Sequence, residues 1–126
     1  MNVRIESKYD FEGTFDNITN FLNSKGFTIF CVVDHGKNAK DAGLDFINSK
    51  LIIFGNAKGG TILMKKNAEL GIELPLKILI IEQNKRCYVI YKDYAQISKE
   101  YNLDNKDIID QISGLFQNLK GSLEMP

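Results

Sequence analysis

Apolar and polar positions change period several times along the chain, and each change marks an element. Val3, Ile5 and Ser7 alternate with Arg4, Glu6 and Lys8, the two-residue period of a half-buried strand. The period then lengthens: Phe15, Ile18, Phe21 and Leu22 recur at helical spacing. Thr14 is the expected cap of that helix, Asp16 suits the positive end of its dipole, and Gly26 stands where a residue at positive φ ends it. Phe27 to Val33 is an unbroken apolar and β-branched run, which predicts a central strand covered on both faces and halted by Asp34-His35-Gly36.

Asn38 to Gly43 reads as a short helix with Ala39 and Ala42 turned inward, and Leu51-Ile52-Ile53-Phe54 as a second buried strand stopped by Gly55-Asn56. After Gly59-Gly60, Thr61 is expected to open a helix carrying Ile62, Leu63, Met64 and Ala68. Pro75 precedes a strand from Leu76 to Glu82, and the turn Gln83-Asn84-Lys85-Arg86 joins it to Cys87-Tyr88-Val89-Ile90-Tyr91 as a hairpin. Asp93 is placed to cap a short helix with Tyr94 and Ile97. A last helix begins near Asp104 or Asn105, sets Ile108, Ile112, Leu115 and Leu119 on one face with Ile109 and Phe116 beside them, and stops at Gly121. This order suits an α+β fold of the β-α-β(4)-α type, a two-layer sandwich. Its five-stranded, mostly antiparallel sheet carries the two long helices on one face.

Composition narrows the classes. At 126 residues the chain matches one ordinary domain, and its apolar content of 44% with 25% charged residues is that of a globular protein. Sixteen basic and sixteen acidic side chains cancel, so the basic excess with which nucleic-acid and anionic-membrane binders neutralise phosphate is missing, and neither partner is expected. The longest aliphatic runs, such as Ile78-Leu79-Ile80-Ile81, are too short to span a bilayer, and the residues after Met1 lack a signal-peptide stretch. A cytoplasmic protein is the expectation. Cys31 and Cys87 each sit in a strand-like run, too far apart for a redox pair and too few for a zinc site, and are expected as buried, reduced thiols.

In its middle the chain resembles a known family. Asp34-His35, then Ala39 and Gly43-Leu44, then Leu51 to Asn56, Lys58 and Gly60-Thr61 follow the order and spacing of the domain-of-unknown-function family 302. Leu74-Pro75-Leu76-Lys77 and Tyr88-Val89-Ile90-Tyr91 extend the likeness over nearly the whole chain. The resemblance implies the small β-α-β(4)-α fold and a homodimer, and it implies no activity. Ala57 stands where many relatives carry proline, and Asn48-Ser49-Lys50 also lacks one.

Four groups are candidates for chemistry, each with a plainer structural reading. His35 is the only histidine and can act as acid, base or ligand, with Asp34 beside it; adjacent residues on an extended chain face opposite sides, and Asp34 equally suits a helix cap with His35 packed at its base. Gly55-Asn56-Ala57-Lys58-Gly59-Gly60-Thr61 suits an anion held by backbone amides, with Lys50, Lys58, Lys65 and Lys66 nearby in sequence, or else a tight turn capped by Thr61. The spacing is not that of a phosphate-binding P-loop. Lys77, near the start of an aliphatic strand, fits either an anionic ligand or the solvated face of the sheet. The tyrosines Tyr88, Tyr91, Tyr94 and Tyr101 fit an interface or ordinary packing, with Tyr88 and Tyr91 on opposite faces.

The expected function is a small dimeric ligand-binding or sensory domain with a polar pocket for a small anionic molecule. Its ligand-binding residues would be Asp34, His35, Gly55, Asn56, Lys58, Gly60, Thr61 and Lys77, with no metal or cofactor. Two other readings stay open: an assembly module without pocket chemistry, and a small enzyme using His35 as acid or base. If the strands ending at Asp34 and Phe54 are antiparallel neighbours, His35 and Asn56 lie at opposite ends of the sheet.

Overall fold

The structure, a computed structural model, describes residues 2–104 and 106–125. Five strands, β1 (Asn2–Glu6), β2 (Thr28–Asp34), β3 (Ser49–Gly55), β4 (Leu76–Gln83) and β5 (Arg86–Lys92), form one sheet in the order β1-β5-β4-β3-β2. Every pairing is antiparallel. The long helices are α1 (Phe11–Ser24) and α5 (Lys106–Leu123). Shorter ones are α2 (His35–Asp41), α3 (Ala57–Lys66) and α4 (Tyr94–Glu100), with a 3-10 turn at Ala68–Ile72. The β4–β5 hairpin turns through Asn84 and Lys85, both at positive φ, as a two-residue connection between twisted strands requires.

Alternation along the strands decides where the core sits. Ile5, Val89, Tyr91, Leu76, Ile78, Ile80, Ile52 and Phe54 are buried in one cluster with Ile18 and Leu22 of α1 and with Leu115, Phe116 and Leu119 of α5. Both long helices therefore cover the same face of the sheet. At the centre of this layer the Phe116 ring stacks on Tyr91 of β5 (centroids 4.3 Å apart) and on Tyr94 of α4 (5.6 Å), and meets Phe54 of β3 edge-on at 6.3 Å. Burial pushes the phenols of Tyr91 and Tyr94 above the ordinary tyrosine range, so both rings pack as neutral groups. Under the start of α1, the buried hydroxyls of Ser7 and Thr14 share a 2.7 Å hydrogen bond and so escape the cost of burial without a partner.

Several element boundaries differ from the sequence expectation. Phe27 to Val33 was expected at the centre of the sheet, yet β2 is an edge strand, with Phe30 49% and Val32 39% exposed. An apolar, β-branched run suits a strand whether or not a second strand pairs along its outer edge. Cys31, on the same strand, is exposed, whereas Cys87 is buried and burial raises its thiol pKa; both are free. Asp10, not Thr14, caps α1 by accepting a 2.7 Å hydrogen bond from the Gly13 amide, because Thr14 is already inside the helix and bonded to Ser7. The short helix starts at His35 in place of Asn38, and its Ala42 end is exposed. Helix α5 passes through Gly121 to Leu123, since an exposed glycine near a helix end weakens the helix without forcing a stop. Its expected start at Asn105 lies outside the described residues.

Phe116→Ala removes the ring shared by α4, α5, β3 and β5. Urea unfolding should show a loss of about 3–5 kcal/mol, the range for a buried phenylalanine truncated in a core.

Candidate functional site

At the end of the sheet where β3 finishes and β2 and β4 begin, a cavity of about 570 Å³ opens on the helix-covered side. Three segments enclose it. Helix α3 supplies Lys58, Thr61, Leu63 and Met64; the first turns of α5 supply Ile108, Gln111 and Ile112; the strand ends supply Phe27, Phe30, Leu74 and Leu76. Phe30 stands where the β2–β3 register slips between Ile29 and Cys31. Such a bulge bends an edge strand and re-aims a side chain. The Phe30 ring lies against Gly55 at the strand end, 3.4 Å from where a Cβ on that residue would stand.

Asn56 sets the direction of α3. Its side chain accepts a hydrogen bond from the Gly59 amide at 3.2 Å, and its carbonyl accepts one from the Gly60 amide at 2.9 Å. The helix therefore begins at Ala57, four residues before the expected Thr61, and Gly59 and Gly60 are helical residues. Neither is at positive φ. The amides of the glycine pair are engaged in starting the helix, which leaves the loop unlike an open anion cradle. What lines the cavity is mostly apolar, with Asn56, Lys58, Thr61 and Gln111 as its polar side chains.

The residues singled out from the sequence divide by position. Gly55, Asn56, Lys58, Gly60 and Thr61 line the cavity; Asp34, His35 and Lys77 do not. In the β2–β3 pairing Asp34 lies opposite Lys50 and Thr28 opposite Gly55, so the Asp34-His35 pair and Asn56 sit at opposite ends of a seven-residue strand. That is a separation of about 20 Å. The cavity, at the Asn56 end, therefore lies far from the Asp34-His35 pair. The Asp34 carboxylate accepts from the Lys37 amide at 2.8 Å and caps α2, while His35, expected to pack at the helix base, is an exposed first residue.

Lys77 pairs with Ile53 on the face of the sheet away from the long helices. Its ammonium donates to the Pro75 carbonyl at 3.0 Å, and its backbone amide donates to the Tyr94 hydroxyl at 3.2 Å. Burial lowers its pKa, neighbouring Lys92 lowers it further, and Glu73 opposes them. Glu73 itself pairs with Lys92 at 3.3 Å.

Phe27, Phe30, Leu74, Ile108, Gln111 and Ile112 line the site without having been marked in the sequence. Ile108 and Ile112 belong to the regular apolar stripe of α5, where a wall of a cavity and a wall of the core look alike. Among the described residues no group of three or more His, Cys, Asp or Glu is placed to hold a metal ion, and no helix is long and apolar enough to cross a membrane.

Comparisons with known proteins accord with this architecture. A crystal structure of an uncharacterized conserved DUF302 protein from Bacillus stearothermophilus superposes with a TM-score of 0.84 over 96% of each chain, at 15% identity, a likeness of fold. Two proteins named fluoride-specific ion channel FluC 1, from Brucella suis biovar 1 and Brucella abortus biovar 1, are 33% identical over 102 residues. That stretch covers 80% of this chain but only 40% and 38% of theirs. The model of the family described as domain of unknown function DUF302 matches residues 3–119, and by that match the chain belongs to this family.

Proposed function

We propose that this chain is a small-molecule-binding domain whose site is the cavity between α3, the start of α5 and the strand ends around Gly55. The observation that carries the reading is the cavity itself. At about 570 Å³ it falls within the roughly 300–1,000 Å³ of small-molecule sites, and it combines apolar walls with a few polar groups in the way such sites do. It opens to the surface between exposed residues such as Phe30, Lys58 and Thr61, so a small molecule can reach its apolar walls. The polar pocket expected from the sequence thus becomes, in this reading, an apolar one with a polar margin. The cytoplasm is its proposed compartment, a reading supported by two cysteines that remain unpaired.

The longer relatives add one constraint. A bilayer-crossing helix needs about 20 apolar residues, and among the described residues no helix qualifies. In the Brucella proteins we assign channel activity to the part that this chain does not match, and the matched part to an accessory domain. Fluoride conduction is not carried over to this chain.

A second reading, an assembly module working as a homodimer, is favoured by the other face of the sheet. Val33, Leu51, Leu79 and Ile90 are cross-strand partners in a continuous apolar row on the side away from the core, with Ile53 and the exposed Cys31 beside them. None of the aliphatic residues in this row packs against the core cluster. Five strands of about seven residues offer about 550 Å² per copy, so two faces in contact would bury about 1,100 Å², just past the roughly 1,000 Å² that a specific interface needs. A second copy of this chain supplies the same apolar row and is the occupant we assign. The two readings are compatible, because cavity and row lie on opposite faces.

Ile108→Trp fills the cavity from the α5 side. Wild-type protein should bind the reporter dye anilinonaphthalene sulfonate at one site per chain, and the variant should lose that binding at an unchanged urea midpoint; a dye that still binds the filled protein contradicts the site. Leu79→Lys places a charge in the centre of the apolar row. Sedimentation should show a wild-type dimer and a folded monomeric variant, and a wild-type monomer at high concentration excludes the assembly reading.

A further inference from the structure

We propose that the cavity takes an amphipathic acid, an alkyl chain carrying one anionic head group, with the chain between Ile108, Ile112 and Met64 and the head at Lys58. This rests on the small-molecule reading of the same cavity and adds the chemical class.

The walls determine the body of the ligand. Phe27, Leu63, Met64, Leu76, Ile108 and Ile112 present methyl, methylene and ring surface with no polar side-chain partner for a buried donor or acceptor. The polar side chains of the lining, Asn56, Lys58, Thr61 and Gln111, are all exposed ones, so a sugar or nucleotide pushed in among the apolar walls would leave most of its polar groups without replacement hydrogen bonds, at a net penalty. An alkyl chain loses nothing of the kind. Met64 has an unbranched, flexible side chain that adjusts to ligands of different shape, and Phe30, half-exposed at the bulge of an edge strand, borders the opening with its ring.

The margin determines the head. Among the described residues Lys58 is the one charged residue that lines the cavity, and no carboxylate does. A cationic head would find only a like charge there. Lys58 also lies in the first turn of α3, whose positive dipole end adds to the same preference, and the Thr61 hydroxyl one helical turn on offers a hydrogen bond. Because Lys58 is exposed, water screens its attraction, so most of the affinity must come from the chain and only a modest part from the head. A polar anion without a chain, such as inorganic phosphate, would therefore bind poorly. These features together favour a single-chain acid over both a neutral oil and a small polar anion.

The test is a titration of wild-type protein with hexanoate, octanoate, decanoate and decanol, read by the methyl resonances of Ile108, Ile112 and Met64 and repeated with Lys58→Gln. Affinity for the acids should rise about fourfold per methylene until the cavity is full. Lys58→Gln should weaken decanoate severalfold and leave decanol unchanged. If decanol binds as tightly as decanoate and Lys58→Gln affects neither, the acidic head is wrong while the cavity remains a binding site. If neither compound moves these resonances, the cavity reading falls together with the class. Vesicles of phosphatidylglycerol that capture the protein while the free acids leave the resonances unmoved would assign the chain to a membrane lipid and overturn the proposal of a free acid.

Discussion

The packing of Phe116 between Tyr91 and Tyr94, with Phe54 against its edge, is the contact on which the rest of the molecule depends. Four elements meet at this one ring, and each is fixed relative to the others through it. Stacked and edge-on aromatic pairs add about 0.5–1.5 kcal/mol each beyond the area they bury. Their geometric effect matters more here, because ring planes 14° and 12° apart leave α5 little freedom to slide along the sheet. One turn before Phe116 comes Ile112, and one turn earlier Ile108, so the same anchor holds a wall of the cavity away from α3.

A second constraint follows from covering a sheet on one side only. The alternation that sends Ile52, Ile78, Ile80 and Val89 into the core sends Leu51, Leu79 and Ile90 to the opposite face. Purely solvated faces of antiparallel sheets carry polar residues at such positions. Here the row is aliphatic, which is why the inner strands read as continuous apolar runs in the sequence. On this face Arg4 stacks over Tyr88 and Lys77 lies beside Lys92, so polar groups stand at two margins of the apolar row. An apolar centre with polar groups at its margins is what the proposed assembly reading requires.

How much was legible in the sequence depended on whether the deciding contact was local. The strand order along the chain, the hairpin at Asn84-Lys85, the Asp93 cap and the glycine stop at Gly26 all follow from residues within a few positions of one another. So did the family, through motifs spread over most of the chain. The edge position of β2 was not legible, because Phe27 to Val33 has the composition of a central strand and only the pairing reveals the missing neighbour. The cap of α3 was misplaced by five residues because Asn56 and Thr61 are equally good cap types, and the Gly59-Gly60 pair suggested a turn where a helix runs. Half of the site was visible as the Gly55 to Thr61 segment; the other half, from Ile108 and Ile112, is brought there by tertiary packing alone. The antiparallel pairing of β2 with β3 then separates Asp34 and His35 from that segment.

As a binding site, the cavity beside α3 and α5 would be occupied in the living cell. Native mass spectrometry of the full chain, purified gently from its host without added ligands, tests it most directly. The expected result is a reproducible added mass that is released on unfolding and belongs to a single-chain acid. A chain that carries nothing across independent preparations, and gains nothing when incubated with a lipid extract of its host, would contradict it.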